Sequence, residues 1–414
     1  MSLVVQKYGG ASVSNIGSIG KVAENIIKRA KQGNRIVAVV SAMAGETDRL
    51  TNLARKIMDP PDRRELDVII SSGEQVSSGL LCMKIKSLGH EAVSFQGHQV
   101  RVTTNNVFSG AKIKTIDDRK IREALDSGMV VVIAGFQGVD DDGNVTTLGR
   151  GGSDLTAVAV ASVLDADSCE LYKDVAGIFS ADPLVCKDAR KLDKICYEEM
   201  LEMASAGSKV LQARAVEHAS KFSIPLHVRP MNTPEKEGTL VMEESSMESM
   251  EEAIISGVSS DKNQAKLTIA DVPDQPGIAA KIFSVLASED ISVDMIVQNI
   301  SHDGVNDVTF TVPRVEFKRA SKATRKLSKE IGARQVESED NIAKISLIGI
   351  GMRSHSGVAS RMFKTLAREK INIMMISTSE IKISCIVQER ETARAVRALH
   401  DEFFGGKKKS GKKK

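Results

Sequence analysis

Two glycine-rich turns, each flanked by charge, hold the groups of this sequence best suited to chemistry. The first is Lys7-Tyr8-Gly9-Gly10-Ala11-Ser12, which follows a strand-like run at residues 3–6. Paired glycines after a strand let the backbone turn tightly and approach a ligand, and the lysine before them aims an ammonium into the same space. The second is Leu148-Gly149-Arg150-Gly151-Gly152-Ser153-Asp154, which opens into the helical run LTAVAVASVL. Free backbone N–H groups and the positive end of the helix dipole make such a turn a seat for an anion. Arg150 and Asp154 add a fixed cation and a carboxylate at that spot. The simpler reading of the same residues is a capped turn, with Ser153 or Asp154 as N-cap.

Further polar groups close the apolar runs. Ser41 ends RIVAVVS at residues 35–41, and a small-residue loop at 42–47 brings Thr47 up to a helix opening at Asp48. Glu74 lies in the corner at residues 71–74, read as a helix start, where a carboxylate also serves simply to favour the dipole. Lys173-Asp174 ends the strand-like run 169–172. The loop GIFSADP at 177–183 carries Phe179, Ser180 and Asp182, and Lys209 follows Gly207-Ser208 before a further helix. Two lysines and two glycine-rich turns can hold a triphosphate by charge and backbone N–H. Arg150 offers the planar fork suited to a carboxylate and Glu74 an acceptor for an ammonium, together an amino-acid clamp. No GxxxxGK[ST] occurs, so Lys209 is not a P-loop lysine. Gly149-Arg150-Gly151 lacks the GxGxxG spacing because position 154 is Asp, so no nicotinamide fingerprint exists.

The elements that must place these groups alternate strand, glycine loop and helix, the pattern of an α/β sheet with ligands over its strand ends. Residues 129–136 (MVVVIAGF) are too short for a membrane helix and too β-branched for a helix interior, which predicts a strand buried on both faces. Helices are expected to about residue 32, at 116–127 and at 197–206, with short strands at 92–95, 101–103 and 224–228.

A length of 414 residues predicts two or three domains. Hydrophobic content of 42% with 27% charge is that of a soluble globular chain. Aromatics make up only 3%, which argues against base-stacking platforms. The formal charge is +3, but six lysines fall within residues 407–414, and taking those six away leaves −3. The body therefore offers nucleic acid no basic surface. Five scattered cysteines without a CxxC pair predict neither a disulfide framework nor structural zinc. No signal-peptide pattern or membrane span is read, so a reduced cytoplasm is the expected setting.

Past residue 242 the character changes. An acidic, Met- and Ser-rich stretch at 243–252 reads as a linker, and an internal repeat follows at an offset of 80. GIAAKIFSVLASEDISVDMI (277–296) lies over GVASRMFKTLAREKINIMMI (357–376) with nine of twenty positions identical. Each copy reads strand, loop, helix, two strands, helix, with Ile282, Phe283 and Leu286, and Met362, Phe363 and Leu366, as core stripes. The turn Asp274-Gln275-Pro276-Gly277 puts a carboxylate beside free helix N–H groups, suited to a zwitterionic amino acid. The second copy has His355-Ser356-Gly357 there, so its site should differ. The second copy also lacks its last strand, which residues 253–258 (AIISGV) can supply from upstream.

VVQKYGGASV, VVSAMAGETDRL, SSGEQVSSGLL, AGFQGVDDDGNVTTLGRGGSDLTA, DVAGIFSADP and EMLEMASAGSKVLQARAVE, in that order, with the two repeated modules, resemble the bacterial aspartokinases to about residue 404. The resemblance implies an α/β fold: an amino-acid-kinase three-layer α/β/α sandwich at 1–242, then two ferredoxin-like βαββαβ ACT modules. A linker with the donated strand would span 243–264, the modules 265–340 and 341–404, and a disordered tail 405–414. It implies ATP-dependent phosphorylation of the L-aspartate β-carboxylate with Mg2+, and feedback by lysine, threonine or both. It also implies a homodimer or larger assembly through the ACT modules, with neither nucleic acid nor membrane as partner. Carried over, Lys7, Asp154 and Gly10 are catalytic, Lys7 bridging the transferring phosphoryl and Asp154 orienting it. Ser41, Thr47, Glu74, Arg150, Gly151 and Ser153 hold aspartate. Lys7, Gly9, Gly10, Lys173, Asp174, Phe179, Ser180, Asp182 and Lys209 hold the nucleotide. Asp274, Gly277, Ile278, Asp294, Gln298, Asn372, Ile373 and Thr378 form the effector sites.

Four positions depart from the family pattern. Ala11 replaces Thr, Lys173 replaces Thr, Phe179 replaces Tyr, and Leu184 replaces the Arg after the DP pair. Lys173 is read as restoring the phosphate-facing charge lost at Leu184. The alternative function is an amino-acid-sensing regulatory protein of the same fold with weakened catalysis.

Overall fold

A computed structural model describes residues 1–246, 254–299 and 304–405. The lysine-rich tail beyond Gly405 and residues 247–253 of the linker lie outside the described residues. The chain forms two compact units. One comprises residues 1–178, 191–204 and 209–249, the other 179–190, 205–208 and 250–414.

The first unit begins with β1 (Leu3–Tyr8), α1 (Ile16–Lys31), β2 (Arg35–Val40), α2 (Glu46–Ile57) and α3 (Arg63–Ser87). It continues through β3 (Ala92–Phe95), β4 (Thr103–Thr104), β5 (Ile113–Thr115), α4 (Arg119–Asp126), β6 (Val130–Ala134), β7 (Gln137–Val139) and β8 (Val145–Thr147). It closes with α5 (Gly152–Leu164), β9 (Ser168–Lys173), β10 (Lys194–Cys196), α6 (Tyr197–Ser205), α7 (Ala213–Lys221), β11 (Leu226–Pro230) and β12 (Thr239–Met242).

Eight strands make the main sheet in the order β10-β12-β11-β9-β1-β2-β6-β3, with β12 and its parallel neighbour β10 running opposite to the other six. The runs in β1, β2 and β6 are Val- and Ile-rich and almost wholly buried, as strands covered on both faces must be. Alternation along β1 divides its side chains between two layers. Tyr8 faces α1, where Asn25 Nδ2 donates to its hydroxyl at 2.9 Å, while Lys7 faces α5 and Asp154. Helix α5 is buried along all of residues 152–161, the mark of a helix enclosed by protein. A polar ladder on the α1 side fixes β1 against β9. Gln6 Nε2 donates to Glu170 Oε2 at 2.8 Å, Tyr172 Oη to the same oxygen at 3.0 Å, and Tyr8 and Tyr172 stack at 4.8 Å.

Two local expectations are corrected. Glu74 does not start a helix; it lies in the middle of the 25-residue α3, which Asp62 caps by accepting from Glu65 N. The serines that suggested a corner turn their hydroxyls back onto carbonyls of the same helix, from Ser71, Ser72, Ser77 and Ser78. Likewise Ser153 and Asp154 do not cap α5. The cap position is Gly151, left-handed at φ 74°, and both polar residues sit within the first turn.

In the second unit, β13 (Gly257–Pro273), α8 (Ile278–Ser288), β14 (Ile296–Gln298), β15 (Val305–Val312), α9 (Phe317–Glu330) and the first half of β16 (Gln335–Ile348) form one module. The rest of β16, α10 (Val358–Arg368), β17 (Met375–Thr378), β18 (Lys382–Gln388) and α11 (Thr392–Phe404) form the other. Their strands make a single sheet, β14-β15-β13-β16-β18-β17. The start of β13 supplies the strand missing from the second module, pairing Gly257–Asp261 with Ile348–Lys344. It begins a few residues later than the sequence suggested. The two stripes of the repeat lie in separate cores, Ile282 and Leu286 in one, Met362 and Leu366 in the other. Among the described residues no helix is long and apolar enough to cross a membrane.

Candidate active site and effector loops

At the carboxyl end of β1, Lys7 Nζ lies 2.7 Å from Oδ1 of Asp154. At the end of the neighbouring β9, Lys173 Nζ lies 2.8 Å from Oδ2 of the same carboxylate. All three are largely enclosed, with side-chain exposures of 8%, 4% and 17% for Lys7, Asp154 and Lys173. Burial works against the Asp154 charge, but Lys7 and then Lys173 outweigh it and hold the carboxyl at about 2. Lys173 loses its proton more readily than an ordinary lysine, because of burial first and the Lys7 charge second. Two cations on one anion leave a net positive charge in a low-dielectric place, the condition for receiving a phosphoryl group. Gly9 leaves room for the ammonium, since a Cβ there would stand 3.3 Å from Lys7 Nζ.

Glu74 reaches the same end of the sheet from α3. Its Oε1 accepts from Ala42 N at 3.0 Å, while Oε2 is buried with no hydrogen-bond partner among the described residues. Burial raises its carboxyl to about 7, against the opposing pull of the Ala42 N–H and the Lys7 charge. Close packing brings it there. A Cβ on Gly73 would stand 2.7 Å from Ala42 Cβ, and one on Gly10 would stand 2.9 Å from Ala42 O. The turns after β1 and β2 and the middle of α3 thus meet at Ala42. Sequence reading missed Ala42 and Gly73; their small size, adjoining Ser41 and Glu74, was the available signal.

Ser41 continues from β2, its N–H bonded to Tyr8 O at 3.0 Å. Thr47 is in the first turn of α2 and half-buried, Ser153 is buried, and Arg150 is exposed in the turn before α5. Asp174 and Lys209 are exposed in the first unit. Phe179, Ser180 and Asp182 belong to the second unit, where the segment 179–190 packs Ala181 and Cys186 into the core of the second module. There the Ser180 hydroxyl is hydrogen-bonded to His400 Nε2 at 2.9 Å and accepts from Arg190 N. Leu184 is 95% exposed.

The effector-loop candidates also lie in the second unit. Asp274 is exposed ahead of Gly277, the left-handed residue that opens α8 at Ile278. Asn306 Nδ2 donates to Asp274 Oδ1 at 3.4 Å, and its own Oδ1 is buried without a partner among the described residues. The Asp294 carboxylate is engaged by the buried Lys344 ammonium from β16, a partner not read from the sequence. Gln298 ends β14, Thr378 ends β17, and Asn372 and Ile373 lie in the loop before β17.

Residues 2–230 match the amino acid kinase family, and residues 266–332 and 345–403 each match the ACT domain. The fold and site therefore define a kinase of that class with two ACT modules. The chain is 53% identical over 403 residues to the aspartokinase of Pseudomonas aeruginosa, spanning 97% of this chain and 98% of that one. It is 49% identical over 410 residues to the aspartokinase of Mycolicibacterium smegmatis, spanning 98% and 97%. The structure resembles that of E. coli aspartokinase III in complex with aspartate and ADP (R-state), with TM-score 0.81, 26% identity and 97% and 100% coverage. It also resembles that enzyme in complex with lysine and aspartate (T-state), with TM-score 0.74, 27% identity and 97% and 99% coverage. The chain belongs to the aspartokinase family, phosphotransferases with a carboxyl group as acceptor.

Proposed function

We propose that this enzyme transfers the terminal phosphoryl of ATP to the β-carboxylate of L-aspartate, giving 4-phospho-L-aspartate. The observation that carries the substrate reading is the buried, unpartnered oxygen of Glu74 beside the field of Lys7, an acceptor for the ammonium of an amino acid. Arg150 takes the α-carboxylate, and Ser41, Thr47, Gly151 and Ser153 complete the pocket. The β-carboxylate is itself the nucleophile, so no general base is required and catalysis is positioning and charge neutralisation. Lys7 neutralises the transferring phosphoryl, with N–H groups of Gly9 and Gly10 beside it, while Asp154 keeps Lys7 and Lys173 in place. Asp174 and Lys209 are the remaining nucleotide-side residues of this unit.

The net positive charge at Lys7, Asp154 and Lys173 suits the nucleotide's phosphates. Among the described residues no group of three His, Cys, Asp or Glu could hold a metal ion. Mg2+ would be carried mainly by the triphosphate, with Asp174, exposed just after β9, as a candidate ligand. When bound, Mg2+ supplies charge shielding between the phosphate oxygens. Lysine, threonine or both bind at the turns opening α8 and α10 and shift an active–inactive equilibrium in a homodimer or larger assembly. Release of ADP, measured with and without L-aspartate and then with lysine and threonine singly and together, tests the reading. Aspartate-independent ADP release would reject the substrate assignment, and indifference to both amino acids would reject the effector assignment.

A further inference from the structure

We infer that Asp67 is a positioning residue for substrate aspartate, acting through the turn that carries Arg150. Asp67 lies two helical turns before Glu74 on α3 and is fully buried. Its carboxylate gathers four donor groups from two separate segments, the turn at Ser109 and the end of β8. Ser109 N reaches Oδ2 at 2.9 Å and Oδ1 at 3.1 Å, and Ser109 Oγ reaches Oδ1 at 3.1 Å. Thr147 N reaches Oδ2 at 2.7 Å and Thr147 Oγ1 reaches Oδ1 at 2.8 Å. Thr147 ends β8, three residues before Arg150. Ser109 is held in the left-handed region at φ 66°, a conformation that needs support in a non-glycine residue. So placed, its carbonyl packs over the Arg150 turn: a Cβ on Gly149 would stand 3.1 Å from Ser109 O.

A second brace holds the same two segments. Ala111 N donates to Thr147 O at 2.9 Å, and Arg214 from α7 donates to Leu148 O at 2.8 Å and Ala111 O at 3.0 Å. One helix thereby carries Glu74, for the substrate ammonium, and Asp67, which fixes the turn that offers the α-carboxylate its guanidinium. Asp67 sets the spacing between the two ends of the amino-acid clamp. This rests on the reading of Glu74 and Arg150 as that clamp.

The test is steady-state kinetics of the full chain carrying Asp67→Asn, alongside Thr147→Val, Glu74→Gln and Arg150→Ala. An amide at position 67 points N–H groups at the donors of Thr147 and Ser109 and releases the turn. The aspartate KM should rise about tenfold or more, with the ATP KM within about twofold of wild type. Thr147→Val removes one of the four donors and should move the aspartate KM in the same direction by less. A purely architectural role would lower the active fraction, and so kcat, with both KM values unchanged; that result overturns the inference. If Asp67→Asn does not fold, Thr147→Val decides on the same criterion. If Glu74→Gln and Arg150→Ala also leave the aspartate KM unchanged, the clamp itself is wrong. If they raise it and the Asp67 and Thr147 variants do not, only the positioning role falls.

Discussion

Lys7 and Lys173, on adjacent parallel strands, hold opposite oxygens of one buried carboxylate, at 2.7 and 2.8 Å from Asp154. The arrangement stores no proton to be moved. Its product is a positive charge held still, next to a glycine turn whose missing Cβ leaves space at the Lys7 ammonium. Removing Lys7 should therefore reduce kcat by about 10²–10³-fold with a small change in either KM, since the charge acts where phosphoryl charge develops. Steady-state kinetics of Lys7→Ala measures this; a lost nucleotide KM with kcat intact would assign Lys7 to binding alone.

Lys173 is a separate case, because the family pattern has threonine there. The ammonium is pinned to Asp154, and its proton is held less firmly than an ordinary lysine's because of burial and then the Lys7 charge. Lys173→Thr should raise the ATP KM by about tenfold and leave that for aspartate alone. In wild type, activity should fall on the alkaline side below the pH of about 10.4 at which a free lysine titrates. In the variant that limb should move to higher pH. An unchanged ATP KM would leave Leu184 uncompensated.

Glu74 gives a prediction near neutrality. With its carboxyl at about 7, the group is partly protonated in the free enzyme, and only the carboxylate can hold an ammonium. Aspartate binding should weaken as pH falls through 7 and should release protons there, readable by calorimetry in buffers of different ionisation enthalpy. The linkage sign is that of a raised acid. The folded state binds the extra proton between 4.5 and about 7, so this group lowers fold stability as pH rises through that window. Glu74→Gln should abolish the proton release and raise the aspartate KM.

The close approach at Ala42 predicts a packing result. Gly73→Ala should destabilise the fold by about 1–3 kcal/mol, because Ala42 Cβ would stand 2.7 Å from the new methyl group. Ala42→Gly should recover part of that loss in the double variant. Denaturant unfolding of the three proteins checks it, and full additivity of the two changes would show that the contact does not matter.

Much of this site was legible because its residues lie at the ends of apolar runs: Lys7 near the end of β1, Ser41 after β2, Lys173 at the end of β9, and Arg150 to Asp154 at the turn into α5. Glu74 was found for its chemistry but misplaced, because Ser71, Ser72, Gly73, Ser77 and Ser78 look like turn residues. In the structure Gly73 packs on Ala42 and the hydroxyls turn onto the helix's own carbonyls within α3, a tertiary arrangement that turn-forming residue types do not announce. Strands β10 and β12 were not read, being three and four residues long at a sheet edge. The Asp67 clamp and the Asp294–Lys344 pair were invisible because each joins residues many tens of positions apart with no periodic signal. The donated strand of the second ACT module was legible because the repeat left one strand unaccounted for.

The central claim is a transfer of phosphoryl to a carboxylate of aspartate, and trapping the product tests it most directly. Enzyme, MgATP and L-aspartate incubated with hydroxylamine should yield aspartate β-hydroxamate in step with ADP, and Lys7→Ala should suppress both together. ADP formation without hydroxamate, or hydroxamate formation equally fast in Lys7→Ala, would contradict it.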